Sequence, residues 1–344
     1  TAMAVLMAGG LLLANGWILK AMNTPDSIFE DTKSYIGIVY AGIPITIAYN
    51  MLASISRSMG DSRTPLIFLV ISSVLNIVLD LVFVAVLPLG VEGAAYATVL
   101  AQAVSAVACF FYVRKKYEIL HLKKGDMKFS WNSAGRLMMM GLPMGLQFSI
   151  TAIGTMMVQA AVNLLGATYI AAYSACGKIT NIVTQLFPSL GITLANYVGQ
   201  NMGAGKVDRI RKGVRQAQII TIAGGVVCGL AMFFWGGAAT KFFADDPTGE
   251  IRQIGDVLFH TTAWCYPFLG SIFIYRNALQ GMGDGLVPML GGVFELVTRA
   301  AMVTLLAGPL GFFGICLCDP GAWLSALIPL VPVYIWRMRK FVRA

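Results

Sequence analysis

The chain has 344 residues, of which 57% are hydrophobic and only 12% charged, with a mean hydropathy of +0.74. Such a composition excludes one or two water-solvated globular domains and reads as a membrane protein. The formal charge of +9 does not call for nucleic acid, because basic loops beside lipid headgroups account for it.

A membrane-spanning helix needs about 20 mostly apolar residues. In chain order, ten stretches qualify: 1–19, 35–56, 65–87, 92–113, 134–163, 168–197, 216–240, 256–279, 288–307 and 311–336. The run from Leu137 to Gly177 holds no Asp, Glu, Lys or Arg. It is too long for one span, and the small-residue turn "LLGAT" at 164–168 divides it into two. The short alternating segments of a transmembrane β-barrel are not seen. The expected fold is therefore all-α and polytopic.

The basic residues fall on one side of this ladder of helices. Arg57 and Arg63, then Arg114, Lys115, Lys116, Lys123, Lys124, Lys128 and Arg136, then Lys206, Arg209, Arg211, Lys212 and Arg215, share a side with Arg276, Arg337, Arg339, Lys340 and Arg343. Lys20, Lys33, Lys241 and Arg252 fall opposite, and Lys178 and Arg299 lie within spans. An excess of Lys and Arg marks the cytoplasmic side. The six cysteines all sit in apolar stretches without metal-ligand spacing and read as small core residues.

A turn sequence occurs twice: "SMGDSRTP" at 58–65 and "GMGDGLVP" at 281–288, offset by 223 positions. Pro44 matches Pro267 at the same offset, Pro25 matches Pro247 one shorter, and "PLGVEGA" at 88–94 matches "PLGFFGI" at 309–315 at an offset of 221. A same-direction repeat relates two helical bundles by an axis along the membrane normal. The expected bundles are 1–119 and 120–344. Helices 134–163 and 168–197 have no earlier partners in this chain. By the repeat rule Thr1 maps near Gly224, inside a helix, so two leading helices of a twelve-helix, six-plus-six protein are expected to be missing. In the repeated turn, Gly60 and Gly283 allow a tight bend. Asp61 and Asp284 can bond freed amides, and Pro65 and Pro288 are expected at N1 of the next helix.

Polar and ionisable residues within spans are functional candidates by default. Asn76 and Asp80, four apart, share a helix face, and Thr98 lies on the next, antiparallel helix. Together their oxygens can replace water around a sodium ion. A desolvated Asp80 can instead carry a proton; the plainer reading is a hydrated or ion-paired acid near a helix end. Glu295 and Arg299 are also four apart, in the order that favours an intrahelical ion pair. Lys178 and Asp319 are further candidates for that network. Gln147, in "GLPMGLQFSI", is a candidate substrate contact or a packing residue. Pro44, Pro143, Pro188 and Pro267 are candidate kinks.

Enzyme signatures are weak. "GQNMGAGK" at 199–206 fails the P-loop spacing, and Val207 stands where Ser or Thr is needed. His121 and His260 belong to no catalytic constellation. Asp245 and Asp246 read as solvated loop acids. Eighteen Met and 19 Phe suit a pliable apolar cavity, and packing or lipid contact explains most of them.

"SRSMGDSRTPLIFLVISSVLNIVLDLVFV" followed by "LPLGVEGAAYATVLAQ", and "GLPMGLQFSI" leading to "GITLANYVGQNMGAGKVDRIRKG", resemble the multidrug and toxic compound extrusion (MATE) transporters over nearly the whole chain. The resemblance implies twelve helices in two lobes and secondary antiport of drugs or other organic cations against sodium ions or protons, by alternating access. It implies no enzyme activity and no cofactor beyond the coupling ion. The expected partners are the lipid bilayer and small organic cations, with no nucleic acid and no obligate protein partner, in the cytoplasmic membrane of a prokaryote. In the family's amino-lobe site an Asn, an Asp four later and a Thr eighteen after that bind the cation, a spacing that Asn76, Asp80 and Thr98 reproduce. Gln147 stands near a position where some branches carry an acid, which departs from the pattern. The alternative is a lipid-linked oligosaccharide flippase of related fold, which needs several free cations in its cavity. A passive channel is a third reading.

Overall fold

The computed structural model describes residues 2–21, 24–117, 130–246 and 248–343. Every regular element among them is helical. The chain forms two compact units, Thr1–Lys128 and Phe129–Ala344. The expected boundary at 119/120, with Lys123, Lys124, Lys128 and His121, lies outside the described residues, as do Thr1 and Pro247.

The first unit contains α1 (Ala2–Ala21), α2 (Asp26–Ser58), α3 (Arg63–Asp80) and α4 (Gly90–Lys116). Helix α2 packs along α1 and α4, and α3 packs on α4. Asp26 lies in the first turn of α2, where the helix dipole favours an acid. Helix α3 buries only Thr64 and Pro65, while Leu66, Ile67, Leu69 and Val70 face outward. An apolar exterior is what hydrocarbon surroundings require, since the backbone is satisfied within the helix. Directly after Asp80 the winding loosens into a π-helical stretch, Leu81–Val86.

The second unit contains α5 (Trp131–Asn163), α6 (Ala167–Thr184), α7 (Leu186–Gly203), α8 (Val207–Ala239), α9 (Glu250–Thr262), α10 (Tyr266–Gly281), α11 (Leu286–Cys316) and α12 (Cys318–Arg343). Its core is built around the fully buried Phe187, Ile210, Phe259, Tyr266, Ile274 and Leu330. Helix α8 approaches the joint between α9 and α10 through Gly225 and Gly229. A Cβ at Gly225 would come within 2.7 Å of the Pro267 backbone. Small residues four apart are a usual means of close helix contact in membranes.

Nine helical stretches among the described residues are long and apolar enough to cross a membrane, by length and composition. The tenth expected span, 168–197, is two helices, α6 and α7, which part at Gln185. Pro188 has no N–H to bond the Thr184 carbonyl, so the α-helical ladder fails there. Pro267 likewise sits at the start of α10, after a 3-10 turn at Ala263–Cys265, whereas Pro44 and Pro143 lie inside α2 and α5. Helix α11 runs through the loop expected at 308–310 and bends at Gly311 (φ 55°, ψ −135°), past Pro309. Its separation from α12 falls later, at Leu317, so Asp319 lies in the first turn of α12. Pro65 and Pro288 are each the third residue of their helix rather than N1. They are still in the first turn, whose amides have no intrahelical acceptor.

Candidate ion and charge sites

In the first unit, one turn of α3 separates Asn76 from Asp80, and α4 brings Thr98 alongside. Asn76 Nδ2 donates to Thr98 Oγ1 at 3.4 Å, and the Thr98 hydroxyl donates to the Ala94 carbonyl at 3.0 Å. Asn76 and Thr98 line a cleft of about 310 Å³, with the side chains of Thr46, Asn50, Ser73 and Gln102 among its walls. Asp80 opens on a separate, apolar cleft of about 380 Å³ beside Ile77, Leu81 and Ala94. The structure thus joins Asn76 to Thr98 directly and leaves Asp80 one turn away.

Asp80 Oδ1 is buried without a hydrogen-bond partner. Leaving such an atom unmatched is costly, and an oxygen with free lone pairs can take a proton or a cation. The amide and hydroxyl oxygens of Asn76 and Thr98 are of the hard type that sodium prefers. Among the described residues no group of three His, Cys, Asp or Glu gathers as a metal site.

The second unit holds a chain of four charges. Arg276 Nη2, on α10, donates to Glu295 Oε1 at 2.5 Å; Arg299 Nη1, on α11, donates to Glu295 Oε2 at 3.3 Å. Arg299 Nε reaches Asp319 Oδ1, on α12, at 3.0 Å. Three of the four are almost fully enclosed: Arg299 is 3% exposed, Glu295 4% and Arg276 8%. Two acids and two bases cancel, which is how a low-dielectric interior tolerates charge. The close pass of α5 is possible because Gly154 faces Arg299; a Cβ there would sit 3.2 Å from its Cδ. Gln147, also on α5 and 2% exposed, accepts a hydrogen bond from Gln280 Nε2 at 3.4 Å.

Several expectations are corrected by these contacts. Lys178 does not join the charge chain: its side chain is exposed, with the ammonium 5.8 Å from the centre of the Phe243 ring. Arg276, counted by sequence among the surface cations, is a buried member of the network. Asp246 is not simply solvated, since its two oxygens cap α9 by accepting from the Ile251 and Arg252 amides at 3.2 and 2.8 Å. His260 lies against the Phe233 ring and meets the Phe233 carbonyl at 3.0 Å.

The MatE family model matches residues 1–82 and 143–320. The probable multidrug resistance protein YpnP of Bacillus subtilis (strain 168) is 28% identical over 309 residues, covering 90% of this chain and 68% of that protein. The probable multidrug resistance protein YoeA of the same organism is 25% identical over 339 residues, covering 95% and 73%. A crystal structure of MATE in the bent conformation superposes with a TM-score of 0.91 at 19% identity, over 99% of this chain and 76% of the other. That last likeness establishes the fold alone. With the family model matching well over half of its length, the chain belongs to the MATE family of membrane transporters.

Proposed function

We propose that the chain works as a secondary antiporter that exports drugs or other organic cations in exchange for sodium ions or protons. The observation that carries this reading is the unpartnered, buried Asp80 Oδ1, one helical turn from the bonded pair Asn76 and Thr98. A carboxylate oxygen left unmatched in an apolar cleft is a site that an incoming cation or proton can complete. The names of the related Bacillus proteins, which refer to multidrug resistance, support drugs as the class of cargo.

Transport follows by alternating access of the two repeat units, taken as 1–119 and 120–344. Binding at Asp80 favours one arrangement and the organic cation favours the other, and exchange is coupled because each ligand distinguishes the two states. The basic face is placed in the cytoplasm of a prokaryotic cell. The flippase reading is weaker, because of the two cations within spans that it could offer to phosphate, Lys178 and Arg299, Arg299 is held by carboxylates, as is the buried Arg276.

The test is ethidium efflux from drug-sensitive cells expressing the transporter, wild type beside Asp80→Asn, with the sodium and proton gradients collapsed in turn. Efflux that needs one gradient and needs Asp80 is the expected result. Efflux indifferent to both gradients would exclude antiport, and gradient-driven efflux that ignores Asp80 would move the coupling site elsewhere.

A further inference from the structure

The turn that the sequence writes twice is also built twice, on the same three backbone bonds. In the first unit Met59, Gly60 and Asp61 donate their amides to the carbonyls of Ile55 (3.1 Å), Arg57 (3.0 Å) and Ser56 (2.9 Å). In the second, Met282, Gly283 and Asp284 donate to Ala278 (3.1 Å), Gln280 (2.9 Å) and Leu279 (3.0 Å). The glycines take φ of 83° and 84°, the left-handed geometry that ends a helix in this way. Each Asp then caps the following helix with one oxygen: Asp61 Oδ1 accepts from the Thr64 amide at 3.0 Å, and Asp284 Oδ1 from the Leu286 and Val287 amides at 3.0 and 3.2 Å.

The second oxygen of each Asp does something the repeated sequence does not announce. Asp61 Oδ2 takes Lys116 Nζ at 2.5 Å, beside the Thr64 hydroxyl at 2.6 Å and the Tyr117 hydroxyl at 3.1 Å, and Asp284 Oδ2 takes Arg337 Nη2 at 2.6 Å. Lys116 lies at the end of α4 and Arg337 near the end of α12, the last helix of each unit. Their separation of 221 positions is the offset of the two "PLG" segments that precede these helices. The residue type has changed between the copies, while the charge, the place and the partner oxygen have not.

These ion pairs are not needed to form the turns, whose backbone bonds and caps are complete without them. They tie each turn to a third helix. The two helices that a turn joins pack little on one another: α2 and α3 both lie on α4, and α10 packs on α12 while α11 packs on α5 and α12. Each turn is thus a joint between helices that share a neighbour, and the ion pair fastens the joint to that neighbour.

We propose that Asp61–Lys116 and Asp284–Arg337 are one device made twice: a latch that fixes the joint between two helices of a unit against the unit's last helix. Lys116 and Arg337 are then positioning residues for the helix movements of transport.

The experiment uses the full chain in lipid bilayers. Lys116→Met and Arg337→Met leave the Asp caps in place, and Lys116→Arg and Arg337→Lys keep the charge. Hydrogen–deuterium exchange is followed in the segments 57–65 and 280–288, and ethidium transport is measured in parallel. Each Met variant is expected to speed exchange about two- to fivefold in its own turn and not in the other, the least that a pair between a partly exposed base and an enclosed acid supports. It is expected to lower maximal transport rate with the half-saturating concentration unchanged, and the charge-keeping variants to restore both. Unchanged exchange in either Met variant overturns the proposal. Faster exchange with unaltered transport rate also overturns it, since the pairs are then structural only. The transport measurement rests on the efflux reading above and the exchange measurement does not. Absence of ethidium efflux from the wild type therefore counts against that reading, and exchange still decides whether the latch exists.

Discussion

Arg276 and Glu295 belong to different helices and meet at 2.5 Å, nineteen residues apart in sequence, while Arg299 holds the second oxygen of the same acid. Among the described residues, Glu295 is therefore the carboxylate that bridges two buried guanidinium groups. Replacing it by Gln leaves Arg276 without its counter-charge inside the bundle. Breaking a buried pair from one side costs about 3–5 kcal/mol. We expect Glu295→Gln to lower the thermal unfolding midpoint in detergent markedly, and the double change Glu295→Gln with Arg276→Met to recover part of the loss. A single variant as stable as wild type would show that the charge chain is not a stabilising element.

At Asp80 the opposite sign is expected. Its unpartnered oxygen is a cost in the unliganded state, so Asp80→Asn should be at least as stable as wild type without the ion. Wild type should gain stability as the coupling ion is added, because a ligand that binds only the folded state stabilises it by mass action. Thermal midpoints measured across a sodium series, and across pH, check this. A sodium- or pH-dependent gain that survives in Asp80→Asn would place ion binding outside this site.

The contact of α8 with the joint between α9 and α10 depends on Gly225. A Cβ there would stand 2.7 Å from the Pro267 Cα and N, which are backbone atoms with no rotamer to yield. Gly225→Ala is expected to cost about 1–3 kcal/mol, as overpacking does in tight cores. Gly224→Ala, whose Cβ would meet only the Leu186 side chain at 3.0 Å, serves as the milder neighbour. Equal midpoints for the two variants would contradict the close approach.

The Lys116 ammonium, and after it the Thr64 hydroxyl and amide, hold the Asp61 carboxyl well below the usual carboxylate range; the Tyr117 hydroxyl also faces it, at 3.1 Å. A lowered pKa means that the folded state prefers the charged form. The contribution of Asp61 is then fully present above the ordinary Asp value of about 3.9 and is lost only as pH falls through the lowered one. The stability difference between wild type and Asp61→Asn should therefore be the same at pH 7 and pH 5 and shrink only in stronger acid. A difference that disappears between pH 7 and pH 5 would mean that the carboxylate is not held by Lys116.

Much of this molecule is legible in one dimension. The apolar runs alone specify membrane-spanning helices, because hydrocarbon leaves the backbone no partner outside its own helix. The repeated Met-Gly-Asp turn was visible for the same kind of local reason: a helix end followed by a new helix needs a residue at positive φ and a side chain to cap freed amides. The pairing of Glu295 with Arg299 also follows from helical periodicity, since residues four apart share a face; the same spacing sets Asn76 and Asp80 one turn apart without joining them.

What lies between helices was not legible. Arg276 falls by sequence with the cations of the basic side and meets Glu295 only across to α11, and Lys178, a candidate for the same network, is turned outward on α6. The break at Gln185 and the bend at Gly311 replaced uniform spans, because Pro and Gly change direction according to what packs around them. The second oxygens of Asp61 and Asp284 found Lys116 and Arg337 across more than fifty residues of chain. Local sequence determines which groups each helix offers and on which face. Which groups meet is decided by how the helices pack, since a charge in a low-dielectric interior takes the partner that the fold brings within reach.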